Sequence, residues 1–497
     1  MAAGRRSGPL LSVALITAMA AAATLLVPSV AAAAPSPTLR LLTATDHIKV
    51  VRERRDYVNV DPGAFVTPVG GGFELRVARP DYDTPIAVHQ VDPGTGTTLR
   101  TIPSDMLDGW YGLSRFAEVE VLDRADRPVT QQVVSFCPNS YSPERLTDDA
   151  PLTPTYPYGC GGYSPFIMGQ VWGIDEGWAA ALFGDYYGGG LFWKADRHIY
   201  TIAIEIKPEW IDVLGIDPSQ AYATVHVKVV DRTASTASVP KAPNASTSST
   251  RYAATPIDTS PDPSTLPDIV ATPAWGLQAY GRKGVDYLTF NATEWNAGPG
   301  EMVIDGFRND DPKPTMDAYQ YFLQDGDPVG RAPIGQLVYD LDHQHWHFEQ
   351  FARYSLLDAD MNPVMLSDKN SWCLAPTDPM DLTAQNADWR TYPSDLYTSC
   401  GYRQTGALWM REVLNVGWGD TYTQYLNGGA FDISGLPNGW YYLRTEVNPL
   451  GAIYERTSAN DIADRLIRLR GTPGHRRVVV PPYHGIDTEH GCPFCPF

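Results

Sequence analysis

The chain is poor in cysteine, in positive charge and in long apolar runs. Six cysteines among 497 residues are too few for a miniature scaffold built from disulfides, although an even number suits an oxidising compartment. Only 38 lysines and arginines oppose 57 aspartates and glutamates, a formal net charge of −19. That balance argues against nucleic acid or an anionic bilayer as partner, and for cationic ones. Beyond residue 34 no stretch approaches the ~20 apolar residues of a membrane-spanning helix. The H-E-x-x-H pattern of many zinc hydrolases is missing too.

What is present is a large apolar fraction, 43%, enough to bury sizeable cores and to exclude global disorder. Glycine (43) and proline (42) are plentiful, as expected of many turns between short strands. The N-terminus carries Arg5 and Arg6, an apolar run from Leu10 to Val27, and small residues from Ser29 to Ala34. This is the order of a cleavable secretion signal, residues 1–34, cut near Ala31–Ala34. Pro28 and the alanines end the run without basic flanks, against an uncleaved anchor. The general and twin-arginine export routes both stay open. The mature protein is expected to be secreted, where its cysteines can pair. Six allow 15 connectivities; order and spacing favour Cys137–Cys160, Cys373–Cys400 and Cys492–Cys495. The last pair imitates a redox C-x-x-C but sits at the chain end, where a terminal clamp is the simpler reading.

Ser, Thr, Ala and Pro dominate residues 233–265, a linker composition. It separates a β-rich N-terminal domain of unassigned role, residues 35–232, from a second domain, residues 266–497. Before it, alternating runs such as Phe73–Val77, Ala117–Leu122, His198–Ile206 and Ala223–Val230 read as strands with one wet face. After it, Tyr287–Phe290, Met302–Ile304, Gln336–Leu357, Trp440–Val447 and Arg465–Leu469 read likewise. One short helix is predicted at Gly406–Leu414. The expected fold is all-β, two β-sandwich-like domains joined by the linker. Asn244 and Asn291 begin glycosylation sequons. Aromatic-glycine loops at Tyr156–Tyr163 and Tyr186–Gly190 either pack or bind a glycan or protein.

The segment Asp342-His343-Gln344-His345-Trp346-His347 concentrates three of ten histidines in five residues. On a strand, His343, His345 and His347 share one face, the outer two about 13 Å apart, so a twist or bend is needed to bring them onto one ion. Three neutral imidazoles suit copper or zinc and leave positions open for water or substrate.

His343-Gln344-His345-Trp346-His347 with the following Phe351 and Tyr354-Ser355-Leu356-Leu357-Asp358 resembles the copper-binding segment of lysyl oxidases, H-Q-H-Y-H and Y-D-L-L-D. Lys369-Asn370-Ser371-Trp372-Cys373-Leu374 is similar to their K-A-S-F-C-L, and Gly417-Trp418-Gly419-Asp420-Thr421-Tyr422 to G-C-Y-D-T-Y. Leu266-Pro267-Asp268-Ile269-Val270, Phe431-Asp432-Ile433-Ser434 and Val447-Asn448-Pro449 resemble L-P-D-L-V, I-D-I-T and V-N-P. The likeness runs in order from Leu266 to Arg470 and does not extend before the linker. It implies Cu²⁺ on His343, His345 and His347, and a lysine tyrosylquinone formed from Lys369 and Tyr422. It also implies oxidative deamination of a cationic primary amine, free or peptidyl lysine, with O₂ consumed and aldehyde, ammonia and hydrogen peroxide released. The lysine must be partly desolvated for its neutral amine to react. Asp420 and Asp432 are candidates for the proton-abstracting base. Asp342 and Trp418 replace cysteines of the animal pattern. The alternatives are a non-catalytic metal-binding extracellular β-sandwich of adhesion or envelope type, and a zinc hydrolase on the same histidines.

Overall fold

The computed structural model describes residues 36–489 except 53–56, 148, 184–189, 197, 231–254, 310–314, 342, 392–395 and 425–428. The signal sequence, most of the linker with its Asn244 sequon, Asp342 and the Cys492–Cys495 pair lie outside the described residues. The fold is all-β. Among the described residues the single α-helix is Pro208–Leu214, opened by proline at its first turn and closed by Gly215 at φ 65°, as helix-stop geometry favours. Gly406–Leu414 is therefore not helical. Trp409–Leu414 is a strand laid against Met302–Arg308, and long-range pairing overrides a local pattern that fits either period. No described helix is long and apolar enough to cross a membrane.

The expected strands form, mostly longer than predicted. Leu113–Asp123, Ile199–Ile206 and Tyr222–Val230 sit inside a five-stranded sheet, flanked by His47–Val51 at one edge and Pro128–Phe136 at the other. The run Gln336–Leu357 divides into the ends or whole of three strands, Asp327–Asp340, His345–Glu349 and Ala352–Leu357. One hydrophobic core is built from residues between Leu39 and Val229, another from residues between Ile269 and Leu469. Alternation of buried and exposed positions along the strands supplies both, with a favourable term of roughly 25 cal/mol per Å² of apolar surface removed from water.

The two cores meet along a hydrogen-bonded seam. Met168 N–H donates to the Met380 carbonyl (2.7 Å) and Leu382 N–H to that of Gly169 (3.0 Å). The buried Asp378 carboxylate accepts from the N–H groups of Tyr163 and Ser164. Tyr156 stacks on Trp389, ring centres 5.8 Å apart, so part of the Tyr156–Tyr163 loop packs. Cys137–Cys160 and Cys373–Cys400 form as their spacing suggested.

Three sheets build the second half. Ser371–Trp372, His345–Glu349, Asp327–Asp340, Thr315–Gln324, Met302–Arg308 and Trp409–Leu414 pair in that order. Val285–Asn296 pairs with Trp418–Gln424 in the next sheet. Asn291 lies buried there and accepts from the Thr423 hydroxyl, so its sequon is not presented to solvent in the folded chain.

Candidate metal centre and its lysine–tyrosine neighbour

The strand His345–Glu349 follows Asp327–Asp340 through a tight turn, with Asp340 opposite His345. Trp346 and Phe348 point into the core, so His345 and His347 take the other face, as alternation requires. His343 is not on the strand. It belongs to the turn, where Gln344 adopts φ 60°, a conformation costly for most residues and suited to a tight reversal. The 13 Å separation expected of a straight strand is thereby removed. The His343 and His347 ring centres are 5.1 Å apart, those of His345 and His347 4.6 Å.

The possible ligand atoms of the three imidazoles lie within 4.8 Å of one another. His343 Nδ1 and His347 Nε2 face each other at 3.4 Å. His345 Nε2 is buried without a hydrogen-bond partner among the described residues, an expensive state for a polar atom unless something ligates it. Fully buried His347 has its pKa pushed down to about 2, by burial first and then by the Lys369 ammonium. Burial lowers that of His345 as well. Both shifts favour the neutral imidazole, the ligating form. On its other side His347 Nδ1 meets Ser371 Oγ (3.2 Å) and Asp340 Oδ2 (3.3 Å), partners that orient the ring with Nε2 toward the shared point. The donor set fits a borderline divalent ion such as Cu²⁺ or Zn²⁺.

Ser371–Trp372 is the edge strand beside His345–Glu349, which brings Lys369 to the same place. Its Nζ lies 4.8 Å from the centre of the Trp372 ring and 5.7 Å from that of Tyr422. Burial lowers the Lys369 pKa, with Asp340 and Asp420 acting in the opposite sense. Trp372 meets Tyr422 edge to face at 4.4 Å. The Tyr422 phenol has its pKa raised well above the ordinary value by burial and by Asp420.

Two aspartates flank this tyrosine in the sequence, and the structure separates them. Asp432 is exposed and accepts from Ser434 N–H, a turn role. Asp420 is buried opposite Glu294 in the sheet, two residues from Tyr422 on the same face. Burial, then Glu294, raises its pKa well above the usual carboxyl value. Burial likewise pushes Glu294 up to about 8 while it accepts from the Tyr354 hydroxyl. Glu412, also buried, accepts from Leu374 N–H and Asp420 from Ala375 N–H. Glu294 and Glu412 carry no signal in the sequence, because they belong to distant strands that only folding assembles. Ser371 and Trp372 lie inside the lysine motif but revealed no role there.

No curated protein matches the chain. Among solved structures, the CFA/I adhesin CfaE of enterotoxigenic E. coli aligns at 7% identity over 86% of this chain and 96% of that one. Its TM-score of 0.13 gives the likeness no weight. Residues 331–476, which contain the histidines, Lys369 and Tyr422, match the lysyl oxidase family model, and the C-terminal part of the chain carries a lysyl oxidase domain.

Proposed function

We propose that the protein is a secreted, copper-dependent amine oxidase of lysyl oxidase type, acting on cationic primary amines such as peptidyl lysine. The observation that carries this reading is the position of Lys369. Its ammonium is close enough to the histidines to depress His347 and lies 5.7 Å from the centre of the Tyr422 ring. A metal-binding β-sandwich without catalysis, or a zinc hydrolase, needs no such lysine–tyrosine pair.

His343, His345 and His347 would hold the Cu²⁺, and Lys369 and Tyr422 would supply the two halves of a lysine tyrosylquinone. With O₂ and water, these groups would furnish the oxidising capacity and electron sink for converting an amine to an aldehyde with release of ammonia and hydrogen peroxide. The chain's own contribution is placement. Asp340 and Ser371 fix the His347 ring. Burial lowers the Lys369 pKa, which favours the neutral, nucleophilic amine. Asp420, buried on the Tyr422 face with its pKa raised by burial, is better placed than exposed Asp432 to exchange a proton there.

The test is copper-loaded aerobic expression followed by hydrazine labelling and peptide mapping. The expected product is a labelled peptide pair joining Lys369 to Tyr422, with aldehyde and peroxide formed from a small primary amine. Copper-loaded protein with neither cross-link nor amine turnover would overturn the reading.

A further inference from the structure

A cleft of about 780 Å³ opens beside the seam, and its lining includes Tyr111, Tyr141, Tyr158 and Tyr163 together with Gln132–Ser135. Trp418, at the start of the strand that carries Tyr422, belongs to the same lining. The tyrosines are between 41% and 56% exposed, yet at least two are held rigidly. Any side chain on Gly159 would strike the Tyr141 ring, and any on Gly161 the Tyr111 ring. Both glycines have positive φ, 74° and 76°, and Cys160 between them is tied to Cys137. Tyr111 Oη also donates to the Gly162 carbonyl (3.0 Å). The Tyr111 and Tyr141 rings therefore pack against a disulfide-stapled loop, which lowers the ordering cost of binding a ligand there.

The strand in this lining decides the class of ligand. Gln132–Ser135 belongs to Pro128–Phe136, the edge strand of the five-stranded sheet, paired among the described residues with Leu113–Asp123 on one side only. Its sequence Pro-Val-Thr-Gln-Gln-Val-Val-Ser-Phe has no charged residue, so it lacks the lysines that commonly block edge pairing. Every second residue of such a strand directs N–H and C=O groups outward. An edge strand that shares a cleft with aromatic rings is suited to an extended polypeptide, which adds a strand and can seat side chains on the rings. A saccharide would leave the backbone row unused.

We propose that this cleft docks an extended, lysine-bearing polypeptide segment by strand addition to Pro128–Phe136, making the N-terminal half a substrate-binding module. The lining itself carries no charged residue, and the net charge of −19 favours a cationic segment through long-range attraction. Trp418 and Tyr422 are about 13 Å apart along their strand, so a segment leaving the cleft has only four extended residues to cover. The proposal rests on the oxidase reading for its lysine but is tested apart from it.

The probe is a fluorescein-labelled dodecapeptide alternating threonine and lysine, titrated by anisotropy against the full-length chain prepared without copper. Saturable binding is expected, weakened about tenfold or more by Tyr111→Ala, as for an aromatic anchor. N-methylation of alternate peptide residues should abolish binding while methylation of the intervening ones leaves it intact. Binding unaffected by Tyr111→Ala, or insensitive to every N-methylation, would overturn strand addition here, and so would absence of binding. An intact binding pattern in a protein that oxidises no amine after aerobic copper loading would retire the oxidase reading and leave the cleft assignment standing.

Discussion

The Tyr422 hydroxyl bridges both polar groups of one residue: it accepts from Cys373 N–H at 3.1 Å and donates to the Cys373 carbonyl at 2.9 Å. Cys373 is in turn bonded to Cys400. The next two N–H groups, of Leu374 and Ala375, are taken by Glu412 and Asp420. The tyrosine ring is thus fixed at its polar end and against Trp372 along its edge, whereas Lys369 is a flexible stem ending in a half-buried amine. Any bond between them is formed by movement of the lysine.

Lys369→Ala should accordingly abolish hydrazine labelling and amine turnover while leaving copper bound. Metal analysis together with the visible spectrum checks this. Undiminished labelling in the variant would assign the quinone to another pair.

Asp340→Asn should weaken metal binding by roughly 10–100-fold, the usual effect of losing a carboxylate that orients a ligating imidazole. Competition with a chromophoric chelator measures it. Because His347 Nδ1 also meets Ser371 Oγ, the ring keeps one partner and the fold should persist. An unchanged affinity would remove Asp340 from the orienting role.

Glu294 predicts a pH dependence of stability. Its folded pKa is raised to about 8 from 4.5, so between those values the folded state keeps a proton that the unfolded state has lost. Stability must fall as pH rises through that window, by at most about 1.4 kcal/mol per pH unit for one group, and level off above pH 8. Thermal unfolding from pH 5 to 8 should show a steeper decline for the wild type than for Glu294→Gln. Parallel slopes would mean that Glu294 ionises normally.

A proteolytic cut within residues 233–254 should leave the two halves associated. The seam at Met168, Gly169, Asp378 and Met380 is independent of the connecting chain. Co-elution on size exclusion without denaturant is expected, and two separate peaks would contradict it.

Much of the site was legible before folding, in specific places. The alternation of His345 and His347 follows from strand geometry, and the co-linear motifs bring Lys369 and Tyr422 into consideration. The convergence of His343 was not legible, because it depends on the reversal at Gln344. Asp420 and Asp432 looked equivalent until burial distinguished them. Trp409–Leu414 suited helix or strand until Met302–Arg308 paired with it.

Residue order by itself determined the all-β class, through period-two alternation and frequent turn residues, and the chemistry of the donors, through side-chain type. Tertiary structure alone decided the rest. It closed the histidine triangle, buried Glu294 opposite Asp420, and brought an uncharged edge strand and four tyrosines to one cleft. Each of these depends on which strands pair and in what register. Pairing joins residues more than a hundred positions apart, and desolvation then changes what those residues can do.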